Sequence, residues 1–231
     1  VILAGVAITA GIFDELGIEI MRPSRGALRE GVIYDLLGRL SHEDVRERTI
    51  NALMQRYSAD AQVAEIVEER TVNIFKAAAD SWELHQSDRD LLRWAARTHE
   101  IGMAISHKHY NRHGAYLLRN ADLPGFSQYE QETLALLVLC HRRKVPLEIL
   151  DDMPAADRQR VIRLIAILRL ACAFKYVEQL EVLPLVKVIA RARGLKLKFP
   201  DDWLEQHPLT SYELREERHQ LRKMGLRLAI R

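Results

Sequence analysis

Leu91-Leu92-Arg93-Trp94-Ala95-Ala96-Arg97-Thr98-His99-Glu100-Ile101-Gly102 decides the fold, and His107-Lys108-His109-Tyr110-Asn111-Arg112-His113 follows it closely. The first stretch is an apolar segment that runs into an adjacent histidine–glutamate pair. Four of the nine histidines lie between positions 99 and 113. Just upstream, Ser87-Asp88-Arg89-Asp90 has the Ser-x-x-Asp capping pattern, in which side-chain oxygens satisfy amides that the first helical turn leaves open. The spacing predicts a helix that starts at Ser87, carries His99 and ends near Gly102, because glycine suits a helix C-terminus. Any chemistry in the chain is expected around this helix end.

Working outward, helical periodicity governs the middle of the chain. Val45, Thr49, Leu53, Met54 and Tyr57 share one face of a helix begun by Ser41-His42-Glu43-Asp44, whose acids suit an N-terminus. Residues 61–82 predict a long helix with Val63, Ile66, Val67, Ile74, Ala78 and Trp82 in the core. Residues 111–120 predict another, with Ala115, Tyr116 and Leu118 as its apolar positions. Leu123-Pro124-Gly125-Phe126 reads as a turn, and Ser127-Gln128-Tyr129-Glu130 as a full capping box. From Thr133 to Cys140 the next helix is apolar nearly all round, the mark of a central element. It delivers His141-Arg142-Arg143-Lys144 to its C-terminal end, where cations suit the helix dipole. Residues 157–176 predict a long buried helix with Val161, Leu164, Ile165, Leu168, Ala171 and Phe174 inward.

The period then changes. Residues 185–190 and 195–199 are short, and Lys196-Leu197-Lys198-Phe199 alternates strictly, so a hairpin around Gly194 is expected. Residues 201–208, with Trp203, read as a loop, 211–223 as an exposed charged helix, and 225–230 as a third strand. At the other end, residues 1–16 read as a helix whose Ala4, Gly5, Ala7, Ala10 and Gly11 admit another backbone. Ile18-Glu19-Ile20-Met21 reads as a short strand, Ser24 as an N-cap, and Gly38 and Ser41 as a break.

The 231 residues are 48% hydrophobic and 29% charged, which describes a soluble globular protein of one or two domains. A net charge of +2 supplies no global field toward nucleic acid or membrane, so anion binding must be local. Cys140 and Cys172 each sit in an apolar run with no CxxC pair. They read as free thiols of a reducing compartment, not as a zinc knuckle or redox pair. Residues 1–13 are too short to span a bilayer and lack a basic flank. A chain opening on Val1 reads as a fragment that begins inside a folded element. The expected location is cytoplasmic, with peripheral membrane association left open.

Adjacent histidine and aspartate on a helix is how the HD phosphohydrolase fold holds a divalent metal, and residues 91–102 resemble that signature with Glu100 in the aspartate place. The whole chain narrows the likeness. His99-Glu100-Ile101-Gly102, Ile105-x-His107, Arg112-His113-x-Ala115-Tyr116-x-Leu118 and Asn120-x-Asp122-Leu123-Pro124-Gly125-Phe126 resemble the C-terminal half of the Ppx/GppA exopolyphosphatase and guanosine-pentaphosphatase family. Ser24-x-x-Ala27-Leu28-Arg29-Glu30-Gly31 is similar to the motif closing that family's actin-like catalytic region. Phe199-Pro200-Asp201-Asp202-Trp203-Leu204-Glu205-Gln206-His207-Pro208-Leu209 resembles its tail.

This resemblance implies a mainly α fold. Residues 1–38 would be the tail of the second actin-like (ribonuclease H-like) α/β lobe. Residues 39–178 would be an HD-like helical domain, and 179–231 a small C-terminal α+β domain. It also implies that the phosphate loops, catalytic carboxylates and Mg2+ belong upstream of Val1, leaving no cofactor in this chain. Sliding the HD pattern along the helices puts Val67 and Cys172 where metal ligands belong, so only His99 and Glu100 remain as weak catalytic candidates and no metal ligand set is expected. The plain alternative is a hydrogen-bonded structural pair.

His107, Lys108, His109, Arg112 and His113, with Arg142, Arg143 and Lys144, form the candidate polyphosphate-binding set, since such a cluster can grip a polyanion by many charge-assisted hydrogen bonds. A solvated basic rim is the alternative. His141 reads as a packed helix-end histidine, and Arg29-Glu30 as a helix start. The leading expectation is therefore the C-terminal part of an exopolyphosphatase, binding inorganic polyphosphate and supporting a homodimer without a catalytic centre of its own. Guanosine pentaphosphate is the alternative substrate of the parent. A free-standing HD metal phosphohydrolase and a pure dimerisation module are the competing classes.

Overall fold

Asp60 shows how the sequence sets the helical body. Its carboxylate accepts from the Gln62 and Val63 amides at 2.9 and 3.0 Å, and the longest helix starts at the next residue. The computed structural model describes residues 2–18, 20, 45–151, 153–174 and 186–231. The helices are α1 (Ile2–Leu16), α2 (Val45–Arg56), α3 (Ala61–Trp82), α4 (Gln86–Thr98), α5 (Tyr110–Asn120), α6 (Gln128–Cys140), α7 (Glu148–Asp151), α8 (Ala155–Ala173), α9 (Trp203–Gln206) and α10 (Pro208–Lys223), with a 3-10 turn at Ile101–Ala104. The strands are β1 (Lys187–Arg191), β2 (Gly194–Lys198) and β3 (Arg227–Ile230). The mainly α fold with a small C-terminal sheet is as the sequence predicts.

The core lies between α3, α4, α6 and α8. Helix α4 packs against α2, α3, α6 and α8, and its Leu91, Leu92, Trp94, Ala95 and Ala96 are buried. Leu134–Val138 of α6 are buried without a break, which is why that stretch has no polar face. Val161, Leu164, Ile165, Leu168, Ala171 and Phe174 are buried as expected. On α3 the buried face holds Val63, Val67, Ile74, Phe75, Ala78 and Trp82, whereas Ile66 is half-buried.

Helix α6 opens on the capping box. The Ser127 hydroxyl accepts from the Glu130 amide at 3.2 Å, and the Glu130 carboxylate accepts from the Ser127 amide at 2.9 Å. The turn before it needs Gly125, whose φ is +94°. Helix α4 starts differently from the expectation. Ser87 is not its cap; the helix begins at Gln86, and the His85 amide donates to Asp88 at 2.8 Å. Asp88 is 1% exposed and also receives the Arg160 guanidinium of α8 at 2.5 Å, so a tertiary ion pair selects which acid docks.

Strands β1 and β2 pair antiparallel with Ile189 opposite Lys196 and Ala190 opposite Leu195. Strand β3 pairs parallel with β2, Leu195 opposite Leu228, after the crossover through α9 and α10. The strict alternation of β2 buries Leu195 and Leu197 and turns Lys198 to solvent. The sheet is tied to the helices by the Trp82 indole, which donates to the Arg191 carbonyl at 2.8 Å.

Two further expectations are corrected. Residues 201–208 are not only loop, since Trp203–Gln206 forms α9 with Trp203 stacked on Phe199 at 5.3 Å and on His207 at 3.9 Å. Helix α10 is not simply a solvated face: Thr210, Leu214 and Leu221 are buried, and Glu217 reaches α8. Both expected domain boundaries, the Ser24–Gly31 motif with Arg29-Glu30, and the Ser41–Asp44 helix start lie outside the described residues. Of the expected strand at 18–21, Glu19 and Met21 lie outside them as well. Leu3, Val6, Ile8, Ile12 and Leu16 of α1 are exposed. Among the described residues no helix is long and apolar enough to cross a membrane.

Candidate functional site

Thr98 ends α4 and Cys140 ends α6, and a histidine follows each. The two histidines are held alike. The His99 Nδ1 donates to the Ala96 carbonyl at 2.6 Å, and the His141 Nδ1 donates to the Val138 carbonyl at 2.6 Å. A carbonyl can only accept, so each Nδ1 carries the proton in that bond. The rings are 1% and 2% exposed and meet edge to face with centroids 5.4 Å apart. Glu100 Oε1 lies 3.7 Å from His99 Nε2.

The glycine at 102 brings these ends to α5. A Cβ there would overlap the Tyr110 carbonyl and the Gly114 amide, so only a glycine lets the 3-10 turn lie against α5. Helix α5 thereby places the Tyr110 ring 5.5 Å from His141. Asn111 donates to the Leu139 carbonyl at 2.7 Å, and Arg169 of α8 donates to the Cys140 carbonyl at 2.6 Å. Two carbonyls that the end of α6 leaves open are thus satisfied from neighbouring helices.

The histidine-rich loop and the Arg142-Arg143-Lys144 loop face one another. The His109 pKa lies below its ordinary value, first through desolvation and then through repulsion by Arg112, Lys108, Arg143 and His113. Arg143 of the other loop adds to that repulsion. His109 and Arg143 both have positive φ, +60° and +57°. The Arg142 guanidinium lies over the Tyr110 ring at 4.4 Å. Arg142 is half-buried, while Lys108, Arg112 and Arg143 are exposed. His107 and Lys144 are also exposed, and neither has a hydrogen bond or ion pair among the described residues.

The donor set does not fit a divalent-metal centre. Val67 is fully buried apolar surface in α3, and Cys172 is a half-buried thiol near the end of α8. Among the described residues no three His, Cys, Asp or Glu side chains form a group that could hold a metal ion. Sequence reasoning did not single out Tyr110, Asn111 or Arg169 for this site. For Arg169 the available signal was a charge inside the otherwise apolar Ile167-Leu168-Arg169-Leu170-Ala171 run.

Burial also pushes the Cys140 thiol up to about 12. Cys140 is therefore expected to stay a protonated, unreactive thiol in the folded chain at pH 8. Mass spectrometry after iodoacetamide treatment should find Cys140 unmodified until denaturant is added; rapid labelling without denaturant would show the burial to be wrong.

With the geometry in place, residues 45–218 match the family described as Ppx/GppA phosphatase, domain III. The chain belongs to that family, as a C-terminal Ppx/GppA region. It is 36% identical over 233 residues to the guanosine-5'-triphosphate,3'-diphosphate pyrophosphatase of Pseudoalteromonas translucida, covering 100% of this chain and 46% of the relative. The protein of the same name from Aeromonas hydrophila is 38% identical over 223 residues, covering 96% of this chain and 45% of the relative. The chain thus spans about half the length of these curated relatives.

Proposed function

We propose that this chain is the C-terminal part of a guanosine pentaphosphate phosphohydrolase and grips its anionic substrate through the paired basic loops. The names carried by the relatives favour this substrate over inorganic polyphosphate, which the motif resemblance by itself put first. The observation that supports the binding role is the contact between two cationic loops, with the Arg142 guanidinium of one lying 4.4 Å over the Tyr110 ring of the other, and Lys108, Arg112 and Arg143 add positive potential beside it. The catalytic carboxylates and Mg2+ are assigned to the segment preceding this chain in the parent, and the chain alone hydrolyses nothing. A homodimer and a cytoplasmic location complete the reading.

The test compares the full-length parent with a variant carrying Lys108→Ala, Arg112→Ala, Arg142→Ala and Arg143→Ala. The variant is expected to lose about tenfold or more in affinity for guanosine pentaphosphate, and the loss should shrink as salt rises, because these contacts are Coulombic. Unchanged affinity in calorimetry would remove the basic loops from the function. The sign with pH also follows. His109 resists protonation first through desolvation and then through its cationic neighbours, and a bound polyanion relieves the repulsive part. Affinity should therefore tighten as pH falls below neutrality. Phosphate release from inorganic polyphosphate much faster than from guanosine pentaphosphate would restore the other substrate.

A further inference from the structure

Arg142 differs from the other cations of the two loops. It is half-buried where Arg143 and Lys144 are exposed, and its guanidinium lies 4.4 Å over the face of Tyr110. Tyr110 is itself fixed: it is 6% exposed, opens α5, and its ring lies 5.5 Å from His141. His141 is held by its own hydrogen bond to Val138 and by its edge contact with His99. Among the described residues no carboxylate or carbonyl is hydrogen-bonded to the Arg142 guanidinium.

We propose that Tyr110 is a positioning residue that holds the Arg142 guanidinium as a fixed phosphate anchor, around which the exposed side chains of the basic loops wrap the rest of the polyanion. A guanidinium whose face rests on a ring keeps its edge N–H groups free, and that edge matches two phosphate oxygens at once. A long side chain already ordered by stacking loses less conformational freedom on binding than a solvated lysine or arginine does. The buried ring series from His99 through His141 to Tyr110 thus has a mechanical role, which is to set where the anchor stands. This inference rests on the binding role proposed for the loops.

The experiment measures affinity for tripolyphosphate by calorimetry, together with kcat and KM for guanosine pentaphosphate, in the full-length protein. Arg142→Ala and Tyr110→Leu are each expected to weaken tripolyphosphate binding about five- to tenfold and to raise KM with little change in kcat. The double variant should lose little more than either alone, because the two side chains act as one unit. Tyr110→Phe, which keeps the ring face, should restore binding to within about twofold of the unaltered protein. Arg142→Lys, which keeps the charge and loses the planar fork, should lose most of the affinity that Arg142→Ala loses.

Normal binding by a folded Tyr110→Leu variant, with Arg142→Ala defective, would overturn the positioning role and leave the loops as binders. Should Tyr110→Leu fail to fold, Arg142→Lys decides: affinity equal to the unaltered protein overturns the proposal. If Arg142→Ala and the fourfold loop variant both bind normally, the underlying binding role falls with it.

Discussion

Glu217→Ala is expected to lower the stability of the chain by about 3–5 kcal/mol, the cost typical of leaving a buried charge without its partner. Arg169 is 1% exposed, among the buried Ile167, Leu168, Leu170 and Ala171 of α8. Glu217 of α10 meets it with two oxygens, at 2.6 Å to Nε and 2.8 Å to Nη2, while Nη1 donates to the Cys140 carbonyl. Removing the carboxylate strands the guanidinium in apolar surroundings. The helix end that carries His141 then loses a rigid support. Urea denaturation followed by circular dichroism measures the effect, and Tm should fall by roughly 6–20 °C for a chain of this size. Arg169→Met with Glu217→Leu should cost far less than Glu217→Ala, since an apolar pair leaves no unpaired charge. A loss below about 1 kcal/mol on Glu217→Ala would mean that the pair is solvated and that α10 does not brace α8.

Gly102→Ala is expected to be nearly as damaging, at or above about 3 kcal/mol, the upper end of the usual cost of overpacking. The added methyl meets backbone, the Tyr110 carbonyl and the Gly114 amide, which cannot rotate away. The 3-10 turn and α5 must separate, and the histidine-rich loop between them moves. Gly114→Ala is the matched control. Its methyl meets the Val138 side chain at 3.0 Å, which can shift by a few tenths of an ångström, and alanine favours a helix interior by about 0.5–1 kcal/mol over glycine. It should sit near neutral. Equal stabilities for the two variants would show that the turn and α5 are not in close contact.

Much of the fold was legible from local pattern. The Ser127–Glu130 capping box and the alternation of Lys196-Leu197-Lys198 each act over a few residues, and each appears where expected. The start of α4 was not legible. Ser87-x-x-Asp90 and His85-x-x-Asp88 both offer an acid three residues on, and Arg160, 72 residues away from Asp88, chooses the second. The charged pattern of α10 similarly hid Leu214 and Leu221, because a helix with so narrow an apolar stripe reads as solvated until α8 is set beside it.

The sequence by itself determined the mainly α body, the small sheet, the family and the two basic stretches, because each is written in residue type at fixed spacing. Only the tertiary structure decided that His99 and His141 share one buried corner and that Tyr110 lies beneath Arg142. Those contacts join the ends of separate helices. Their geometry depends on crossing angles and on the close approach that Gly102 permits, and neither quantity is encoded in any short stretch of chain.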